Sequence, residues 1–413
     1  MRHAFVLLLL AVLNLSLLPL ARAEDVPTPT PAPVQNPSAP IPTPGPTPKP
    51  ATAAALAMPI PKAPEVAARG YLLEDFHSGQ VLAESNADTR LEPASITKVM
   101  SSYVIFKELA AGKIKLDDMV TISERAWRME GSRMFVEVGK QISVQDLLIG
   151  MIVQSGNDAT VALAEHVAGT EEAFAGYMNK YAEELGMTGS HFMDASGLPH
   201  PEHYMTARDI AIIARALITE FPEYYKWYSM KEYTFNGIVQ HNRNRLLWRD
   251  ASVDGIKTGH TEAAGFCLVS SAQRDGMRLV AVVLGAASDD ARASASQALL
   301  NYGFSFYETH KLYDAGSKLV DARVWKGAQE TVPLGLKSPL FITIPRGQYD
   351  QLKASVQLPG QITAPVAADA KLGSVQVKLG DKLLLEPSLN ALQAVEEGSI
   401  WQRAVDSVKL YFE

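Results

Sequence analysis

Three short motifs occur in one order along this chain and limit how it can fold. They are Ser95-Ile96-Thr97-Lys98, Ser155-Gly156-Asn157 and Lys257-Thr258-Gly259. Strings of this length arise by chance in a chain of 413 residues, so each motif alone is a weak signal. The ordered set is much more specific, and it requires a fold that brings three distant segments to one cleft.

The first motif pairs a hydroxyl with an amine at a spacing that suits nucleophilic catalysis. A serine hydroxyl is a weak nucleophile unless a base removes its proton. Lys98 lies three positions after Ser95, one helical turn away on the same face. It can act as that base only when neutral, so we expect burial next to another cation, with Lys257 as the candidate, to lower the pKa of Lys98. The motif set therefore predicts acyl transfer by an active-site serine.

The residues around Ser95 predict the start of a buried helix. Pro93 precedes the motif, and largely apolar residues follow it from 99 to 109. This pattern places Ser95 in the first turn of the helix. The free backbone N–H groups of a first turn favour negative charge, so the amide of Ser95 would help to form an oxyanion hole.

The third motif lies in a segment that predicts antiparallel strands. Residues 254–260, 266–272 and 277–284 are strand-like and are separated by turn residues. The predicted meander carries Lys257 and Thr258 on its first strand. A cation next to a hydroxyl suits a substrate carboxylate, so this strand would line the cleft opposite the helix of Ser95.

Longer strings around these motifs carry a family resemblance. The chain resembles the low-molecular-mass penicillin-binding proteins, specifically the serine-type D-alanyl-D-alanine carboxypeptidases of the DacA/DacC type in peptidase family S11. The resemblance covers most of the mature length and implies an α+β fold. It implies a catalytic domain like that of serine β-lactamases and transpeptidases, in which an antiparallel sheet packs with helices and a helical subdomain, then a small all-β domain and a terminal amphipathic helix. The strings that carry the resemblance are Pro93-Ala94-Ser95-Ile96-Thr97-Lys98, Gln154-Ser155-Gly156-Asn157-Asp158-Ala159, His241-Asn242-Arg243-Asn244 and Asp254-Gly255-Ile256-Lys257-Thr258-Gly259-His260-Thr261.

The resemblance also implies the role of each catalytic residue. Ser95 would form an acyl-enzyme with the penultimate D-alanine of a peptidoglycan stem peptide and release the terminal D-alanine, with Lys98 as base and Ser155 as proton relay. The amides of Ser95 and His260 would form the oxyanion hole, and β-lactam antibiotics would acylate the same serine. No cofactor and no metal is implied. The residues expected to bind substrate are Asn157, Lys257, Thr258, Gly259, His260 and Arg243.

The first 65 residues predict export followed by an extended arm. Met1-Arg2-His3, an apolar stretch over 5–20 and Ala21-Arg22-Ala23 predict a signal peptide at 1–23 with the mature chain starting at Glu24. An uncleaved anchor is the alternative. Residues 24–65 are expected to be a disordered proline-rich linker, because 14 of the 25 prolines fall between 26 and 64. A spacer or wall-penetrating tail and plain tolerated disorder are both open.

The remaining chain predicts three parts. Residues 66–308 are expected to form the catalytic domain, 309–388 a β-sandwich domain, and 389–413 an amphipathic helix that anchors the protein to the membrane. Localisation would then be periplasmic, peripheral on the outer face of the cytoplasmic membrane. Four acidic and two basic residues between 396 and 413 give no attraction to anionic lipid, so packing on the β-domain is the alternative. The apolar stripe of this helix contains Trp401, Ala404, Val405, Val408, Tyr411 and Phe412.

Charge and cysteine content exclude several other classes. A net charge of −7 offers no basic surface for nucleic acid. A single cysteine, Cys267, excludes an intramolecular disulfide, and its apolar neighbours predict a buried, inert thiol. His200 and His203 form an H-x-x-H pattern near His191, but the segment 197–201 is loop-like, which favours a loop at the cleft over a zinc site.

Three rival functions share some of these features. A class A β-lactamase would carry S-D-N in place of Ser155-Gly156-Asn157 and a dedicated glutamate for deacylation, and no matching acidic motif occurs. A D,D-endopeptidase would share the three motifs but usually lacks the C-terminal β-domain and helix. A catalytically silent cell-wall-binding protein is disfavoured because every motif residue is intact.

Overall fold

The computed structural model describes residues 60–412, and the predicted signal peptide and most of the predicted linker lie outside this range. The first part of the described chain is built from nine helices and nine strands. The helices are α1 (Thr97–Ala110), α2 (Glu124–Trp127), α3 (Val144–Val153), α4 (Asn157–Ala168), α5 (Glu171–Glu184), α6 (Ala207–Glu220), α7 (Pro222–Tyr225), α8 (Leu246–Arg249) and α9 (Asp289–Phe306). The strands are β1 (Gly70–Asp75), β2 (Val81–Ser85), β3 (Met119–Thr121), β4 (Gln141–Ser143), β5 (Glu232–Phe235), β6 (Ile238–His241), β7 (Val253–Thr261), β8 (Gly265–Arg274) and β9 (Met277–Ala286).

A five-stranded antiparallel sheet forms the centre of this part. Its strand order is β2-β1-β9-β8-β7, so β7 lies at one edge, and the predicted meander is β7, β8 and β9. Side chains of a strand alternate between the two faces. Accordingly Leu72 joins one buried cluster and Leu73 the other. The sheet is covered by helices on both faces, which keeps its edge strand β7 in a fixed position.

The nucleophile segment packs against that edge. Ala94–Ile96 form a 3-10 turn and α1 begins at Thr97, so Ser95 lies one turn before the α-helix and not in its first turn. The buried side chains of α1 include Val99, Met100 and Phe106, all fully covered. A helix that is apolar around most of its circumference belongs in a protein interior. Lys98 lies on this helix and is therefore buried with it.

The second part is all β. Its core includes Val332, Leu334, Val375, Val377 and Leu389, each 0% exposed. The strands form a two-stranded sheet of β10 and β13 and a second sheet with β11-β12-β17-β15-β14 in order and β16 paired to β15. Together with the helices and antiparallel sheet of the first part, this confirms the predicted fold class. The strands are β10 (Tyr307–Tyr313), β11 (Lys318–Arg323), β12 (Thr331–Gly335), β13 (Leu340–Pro345), β14 (Leu352–Gln357), β15 (Lys371–Leu379), β16 (Lys382–Leu385) and β17 (Ser388–Ala391).

The terminal segment is shorter as a helix than the sequence predicted. The prediction of a helical segment over 389–413 is wrong for its first part, because β17 extends to Ala391 and α10 spans Ile400–Phe412. Leu389 and Ala391 are both fully buried in the β core, and the segment pairs with β12 and β15, so it is a strand. Among residues 60–412, no helix is long and apolar enough to cross a membrane.

One side of α10 contacts the β-domain, and the other side is exposed. The carboxylate of Asp406 accepts a hydrogen bond from the backbone N–H of Lys326 at 2.6 Å. The aromatic side chains point away: Trp401 is 82% exposed, Tyr411 85% and Phe412 81%. Large exposed aromatic residues in one patch are typical of an interaction surface.

Candidate active site

Lys98 and Ser95 are in direct contact at the start of α1. Nζ of Lys98 lies 3.0 Å from Oγ of Ser95. The same amine donates to Oδ1 of Asn157 at 2.7 Å and to the carbonyl oxygen of Ser196 at 2.8 Å. Lys98 is 1% exposed, so these three oxygens are its polar surroundings. The first two motifs therefore meet, and a carbonyl outside any motif completes the site.

Three oxygens surround Nζ of Lys98. An ammonium has three N–H donors and no lone pair, whereas a neutral amine has two N–H bonds and one lone pair. Asn157 and Ser196 each offer only an acceptor, so in the neutral form they take both N–H bonds and the lone pair faces the hydroxyl of Ser95. Burial is the largest cause that lowers the pKa of Lys98 to about 7, with Arg243 adding to the fall and Asp194 opposing it. The expected fall in the pKa is present, and the expected repulsion between Lys98 and Lys257 is present at Lys257, whose pKa it lowers.

The second serine contacts the third motif. Nζ of Lys257 donates to Oγ of Ser155 at 2.9 Å and to the carbonyl oxygen of Thr258 at 3.1 Å. Burial, followed by the charges of Lys98 and Arg243, lowers the pKa of Lys257 well below its ordinary value. A carboxylate bound in the cleft would have the opposite effect and favour the ammonium form.

The loop that carries Ser155 is held in an unusual backbone conformation. Ser155 has φ of +66°, a region that L-residues rarely occupy, and such strain is found where the surrounding structure fixes it. The carboxylate of Asp158, at the start of α4, accepts hydrogen bonds from the N–H groups of Met134, Phe135 and Val136 at 2.9 to 3.1 Å. Asp158 was not among the predicted site residues, although it directly follows the Ser155-Gly156-Asn157 motif.

Asn157 is held by the protein at both ends of its amide. Its Nδ2 donates to the carbonyl oxygen of Glu130 at 2.6 Å, while its Oδ1 accepts from Lys98. A carboxamide has two N–H bonds and two acceptor positions, so one of each stays available to a substrate amide.

Gly259 lies where the edge strand β7 touches the nucleophile turn. A Cβ atom at Gly259 would lie 2.7 Å from the carbonyl oxygen of Pro93 and 3.1 Å from the backbone nitrogen of Ser95. Only a residue without a side chain permits this approach. The close contact brings the backbone of the Lys257-Thr258-Gly259 motif next to the amide of Ser95.

A cleft of about 420 Å³ opens beside these groups. Its wall includes three arginines, Arg243, Arg245 and Arg292, and the carboxylate of Asp289. The excess of cations suits an anionic ligand group. The remaining lining residues are Ser95, Ser132, Ser155, His241, Asn242, Thr258, Gly259, His260 and Phe266.

Arg292 is a cleft residue that the sequence analysis missed. It lies on α9, forms an ion pair with Asp289, and donates through Nη1 to the carbonyl oxygens of Gly259 (3.0 Å) and Cys267 (3.2 Å). It thereby braces β7 next to the catalytic motif. Nothing in its local sequence marks it, because its partners are backbone atoms of distant strands.

The three histidines considered as metal ligands and the single cysteine lie in surroundings that suit neither a metal site nor a nucleophile. His191, His200 and His203 lie on or beside a loop, as expected, and no group of three or more metal-binding side chains is present within residues 60–412. His203 is buried and contacts Asp194 and Thr97. Cys267 is 0% exposed in β8, and burial raises the pKa of its thiol, so it is poorly suited to act as a nucleophile.

Two family models together match most of this chain. The model described as D-alanyl-D-alanine carboxypeptidase matches residues 57–288, and the model described as penicillin-binding protein 5, C-terminal domain, matches residues 307–397. Among individual proteins, the D-alanyl-D-alanine carboxypeptidase DacC of Escherichia coli (strain K12) is 46% identical over 359 residues, which is 85% of this chain and 90% of that protein.

Solved structures of penicillin-binding proteins have the same fold. Penicillin-binding protein 5 from Haemophilus influenzae superposes with a TM-score of 0.80 at 43% identity, covering 81% of this chain and 99% of that chain. Penicillin-binding protein D2 from Listeria monocytogenes in the ampicillin-bound form gives a TM-score of 0.54 at 28% identity, covering 58% of this chain and 98% of that chain.

Proposed function

The chain belongs to the D-alanyl-D-alanine carboxypeptidase family, and from this premise we propose how its residues divide the reaction. The enzyme is a serine-type D-Ala-D-Ala carboxypeptidase that removes the terminal D-alanine of peptidoglycan stem peptides and binds β-lactams. The observation that carries the assignment of residues is the 3.0 Å contact of Ser95 with Lys98, a buried amine whose pKa is lowered to about 7.

Acylation begins with the hydroxyl of Ser95. As its Oγ attacks the carbonyl carbon of the penultimate D-alanine, the lone pair on Nζ of Lys98 accepts the hydroxyl proton. The negative charge that develops on the carbonyl oxygen is stabilised by the backbone N–H groups of Ser95 and His260. The proximity of Gly259 to Ser95 supports this pairing, because His260 directly follows that glycine.

Collapse of the tetrahedral intermediate requires a proton on the leaving amine. Ser155 is the relay: its hydroxyl lies beside the amine of Lys257, gives its proton to the nitrogen of the departing D-alanine and takes up the proton that Lys98 accepted from Ser95, so Lys98 is neutral again. The C–N bond breaks, D-alanine leaves and an ester on Ser95 remains. Water then attacks the ester with Lys98 as base, which restores the serine.

The terminal carboxylate and the peptide backbone bind along β7. Lys257, Thr258 and Arg243 form the carboxylate site, which the cationic character of the cleft supports. Asn157 uses its remaining hydrogen-bonding capacity for the substrate amide. Gly259 allows the strand to lie close to the nucleophile.

Release of D-alanine from an acyl-D-Ala-D-Ala peptide tests these roles. We expect the Ser95→Ala protein to release none and the Ser155→Ala protein to lose most of its kcat. The Ser317→Ala protein, changed at a serine of the β-domain far from the cleft, is the matched control and should keep full activity. Release of D-alanine by Ser95→Ala at the wild-type rate would overturn the assignment.

Two further assays separate the rival functions. Mass spectrometry after incubation with penicillin should detect one persistent adduct, on Ser95, whereas rapid loss of that adduct would indicate a β-lactamase. Crosslinked muropeptides should stay intact while monomeric pentapeptides are trimmed. Cleavage of the crosslinked substrate at a comparable rate would assign endopeptidase activity instead.

We also propose that the enzyme is exported to the periplasm and that α10 attaches it to the outer face of the cytoplasmic membrane. Exposure of Trp401, Tyr411 and Phe412 on one patch supports attachment. The terminal segment 396–413 carries four acidic and two basic residues, so binding should depend on apolar burial more than on lipid charge. The same exposure is the argument against the alternative that this face packs on the β-domain.

Cosedimentation with phosphatidylcholine vesicles tests the anchor. The mature protein should pellet with the vesicles, and added salt should change this little. Deletion of residues 399–413 should leave the protein in the supernatant, while Asp350→Asn, a change in the β-domain away from α10, should behave as wild type. Equal sedimentation of the deletion and the full chain would refute the anchor.

For the division of the chain, we propose 66–306 as the catalytic domain, 307–398 as the β-domain and 399–413 as the terminal helix. These boundaries replace the predicted ones because β10 begins at Tyr307, β17 ends at Ala391 and α10 begins at Ile400. We keep 1–23 as the predicted signal peptide and 24–59 as the predicted proline-rich arm. The prediction ended that arm at 65, but Ile60 and Ala63 pack against the core of the catalytic domain.

A further inference from the structure

The carbonyl of Ser196 contacts the catalytic amine, although it belongs to none of the three motifs. It accepts a hydrogen bond from Nζ of Lys98 at 2.8 Å. The carbonyl lies in the turn 194–198, which follows no regular element. A backbone carbonyl can hold a lysine amine in position only if its own turn is rigid. The groups that fix this turn therefore act on the base.

Asp194 organises the turn from within. One of its carboxylate oxygens, Oδ1, accepts hydrogen bonds from the backbone N–H groups of Ser196 at 2.7 Å, Gly197 at 2.6 Å and Leu198 at 3.3 Å. Burial alone would raise the pKa of Asp194, but hydrogen bonds from His203 and from these N–H groups hold it well below its ordinary value. Asp194 is therefore a charged carboxylate across the working pH range of a neutral-pH enzyme.

The turn packs directly on the nucleophile segment. Gly197 has φ of +86°, and a Cβ atom there would lie 1.9 Å from the carbonyl oxygen of Ala94 and 2.6 Å from Oγ1 of Thr97. No side chain fits at this position. The 3-10 turn of Ser95 and the turn 194–198 are thus in backbone contact.

His203 links the second carboxylate oxygen of Asp194 to the start of α1. Its Nδ1 lies 3.2 Å from Oδ2 of Asp194, and its Nε2 lies 2.9 Å from Oγ1 of Thr97. Nδ1 is also 3.3 Å from the N–H of Met193, but one ring nitrogen cannot both donate and accept. The carboxylate favours the proton on Nδ1, so we assign that tautomer, with the Thr97 hydroxyl donating to Nε2.

We propose that Asp194 and His203 are positioning residues of the acyl-transfer reaction, which hold the Ser196 carbonyl against the amine of Lys98 and tie its turn to the start of α1 through Thr97. The inference rests on the proposed role of Lys98 as the base. It gives His203, singled out by the H-x-x-H pattern, a role other than metal binding. His200, the other member of that pattern, is exposed and contacts only its own loop.

Asp194 also acts on Lys98 through its charge. The groups that face Lys98 are the carboxylates of Asp194, Asp158 and Glu171, which raise the pKa of the amine, and the guanidinium of Arg243, which lowers it further below the value set by burial. Lys257 completes the charged surroundings. Asn in place of Asp194 keeps an acceptor for the turn and removes the charge, so the pKa of Lys98 should fall further.

The pH dependence of acylation distinguishes this role from a purely structural one. Acylation by a fluorescent penicillin and release of D-alanine are measured from pH 5 to pH 9 for wild type, Asp194→Asn, His203→Gln and His200→Gln. Activity needs neutral Lys98, so the wild-type rate rises with pH through the pKa of that amine. Asp194→Asn should move this acidic limb to lower pH by roughly half a unit to one unit.

The other variants give further expectations. His203→Gln should lower kcat about tenfold or more with little change in KM, since His203 is buried and does not line the cleft. His200→Gln, the matched control in the same loop, should match wild type. An unmoved acidic limb in Asp194→Asn, or wild-type kcat in a folded His203→Gln protein, overturns the proposal.

Thr97→Val covers the case in which either variant fails to fold. It removes the hydroxyl that contacts His203 and keeps the shape of the side chain. Acylation by this protein should be several-fold slower, and Thr97→Ser should restore it. A wild-type rate in Thr97→Val would contradict the proposal. These assays distinguish failure of the proposed function from failure of this inference. If the proposed function is wrong, Ser95→Ala stays active. If only this inference is wrong, Ser95→Ala is inactive and the positioning variants react like wild type.

Discussion

Replacing Lys98 by methionine tests whether the base is uncharged in the folded enzyme. Methionine has a similar length and no ionisable group, so most of the packing is kept. Burial lowers the pKa of Lys98 from its ordinary 10.5 to about 7 in the folded protein. The unfolded chain therefore binds more protons than the folded chain between these two values. The free energy of unfolding therefore rises with pH between these two pKa values. The buried amine destabilises the folded protein most at and below the lower value.

The size of the effect follows from the two pKa values. Each unit between them corresponds to ~1.4 kcal/mol. At pH 7 roughly half of the folded molecules hold the proton, and the buried amine lowers the free energy of unfolding by about 4 kcal/mol relative to a neutral side chain. At pH 9 this penalty falls to about 2 kcal/mol. The methionine also leaves the acceptors on Asn157 and Ser196 without a donor, which costs roughly 1–3 kcal/mol each at every pH in the window.

Urea denaturation of both proteins between pH 7 and pH 9 measures the difference. The free energy of unfolding of Lys98→Met minus that of wild type should decrease by about 2 kcal/mol as the pH rises across this range. Lys107→Met is the matched control, because Lys107 is a partly exposed lysine on the same helix whose amine stays in contact with water. Its difference from wild type should be constant. A constant difference for Lys98→Met as well would mean that Lys98 is charged at pH 7, and the neutral-base argument would be lost.

Three further predictions concern the cleft and the core. Gly259→Ala should lower the rate of penicillin acylation at least tenfold without unfolding the protein, because the methyl group would press on Pro93 and Ser95; unchanged acylation would contradict the close approach. Arg292→Met should raise the KM for D-Ala-D-Ala peptides several-fold in steady-state kinetics, since β7 loses its brace. Leu389→Ala should destabilise the β-domain by about 2–5 kcal/mol in thermal denaturation while acylation of the folded enzyme stays unchanged.

Local sequence patterns predicted the elements that carry the chemistry. The continuous runs of small and apolar residues in β8 and β9 reflect a sheet that is covered on both faces, and the apolar residues after Lys98 reflect a helix that is buried around most of its surface. Both are properties of neighbouring residues, so they can be read without knowing the fold. The terminal helix was predicted from the same kind of pattern. Its start was misplaced because the helical stripe begins only at Trp401, and Ser388–Ala391 before it form the strand β17.

The rest of the site depends on contacts that leave no local signal. The Ser196 carbonyl reaches Lys98 through its backbone, and any residue type has a carbonyl. Arg292 contacts the carbonyl of Gly259 across 33 positions of sequence. Lys257 was expected to be the cation next to Lys98, because it belongs to a motif, and the two amines do repel each other, but the fold adds Arg243 as a second cation. Motif membership indicates that residues share a site and does not reveal every electrostatic neighbour.

The two buried lysines explain how one site can supply a base and an anion clamp together. Both Lys98 and Lys257 are nearly inaccessible to water, so two positive charges there would be costly, and each amine lowers the affinity of the other for a proton. Their surroundings differ: Lys98 faces two carbonyl acceptors and a hydroxyl, whereas Lys257 lies beside Ser155 at the cleft. A substrate carboxylate entering that cleft stabilises the charge on Lys257 and, through repulsion, favours neutral Lys98. Substrate binding thus prepares the base at the moment when the hydroxyl of Ser95 has to lose its proton.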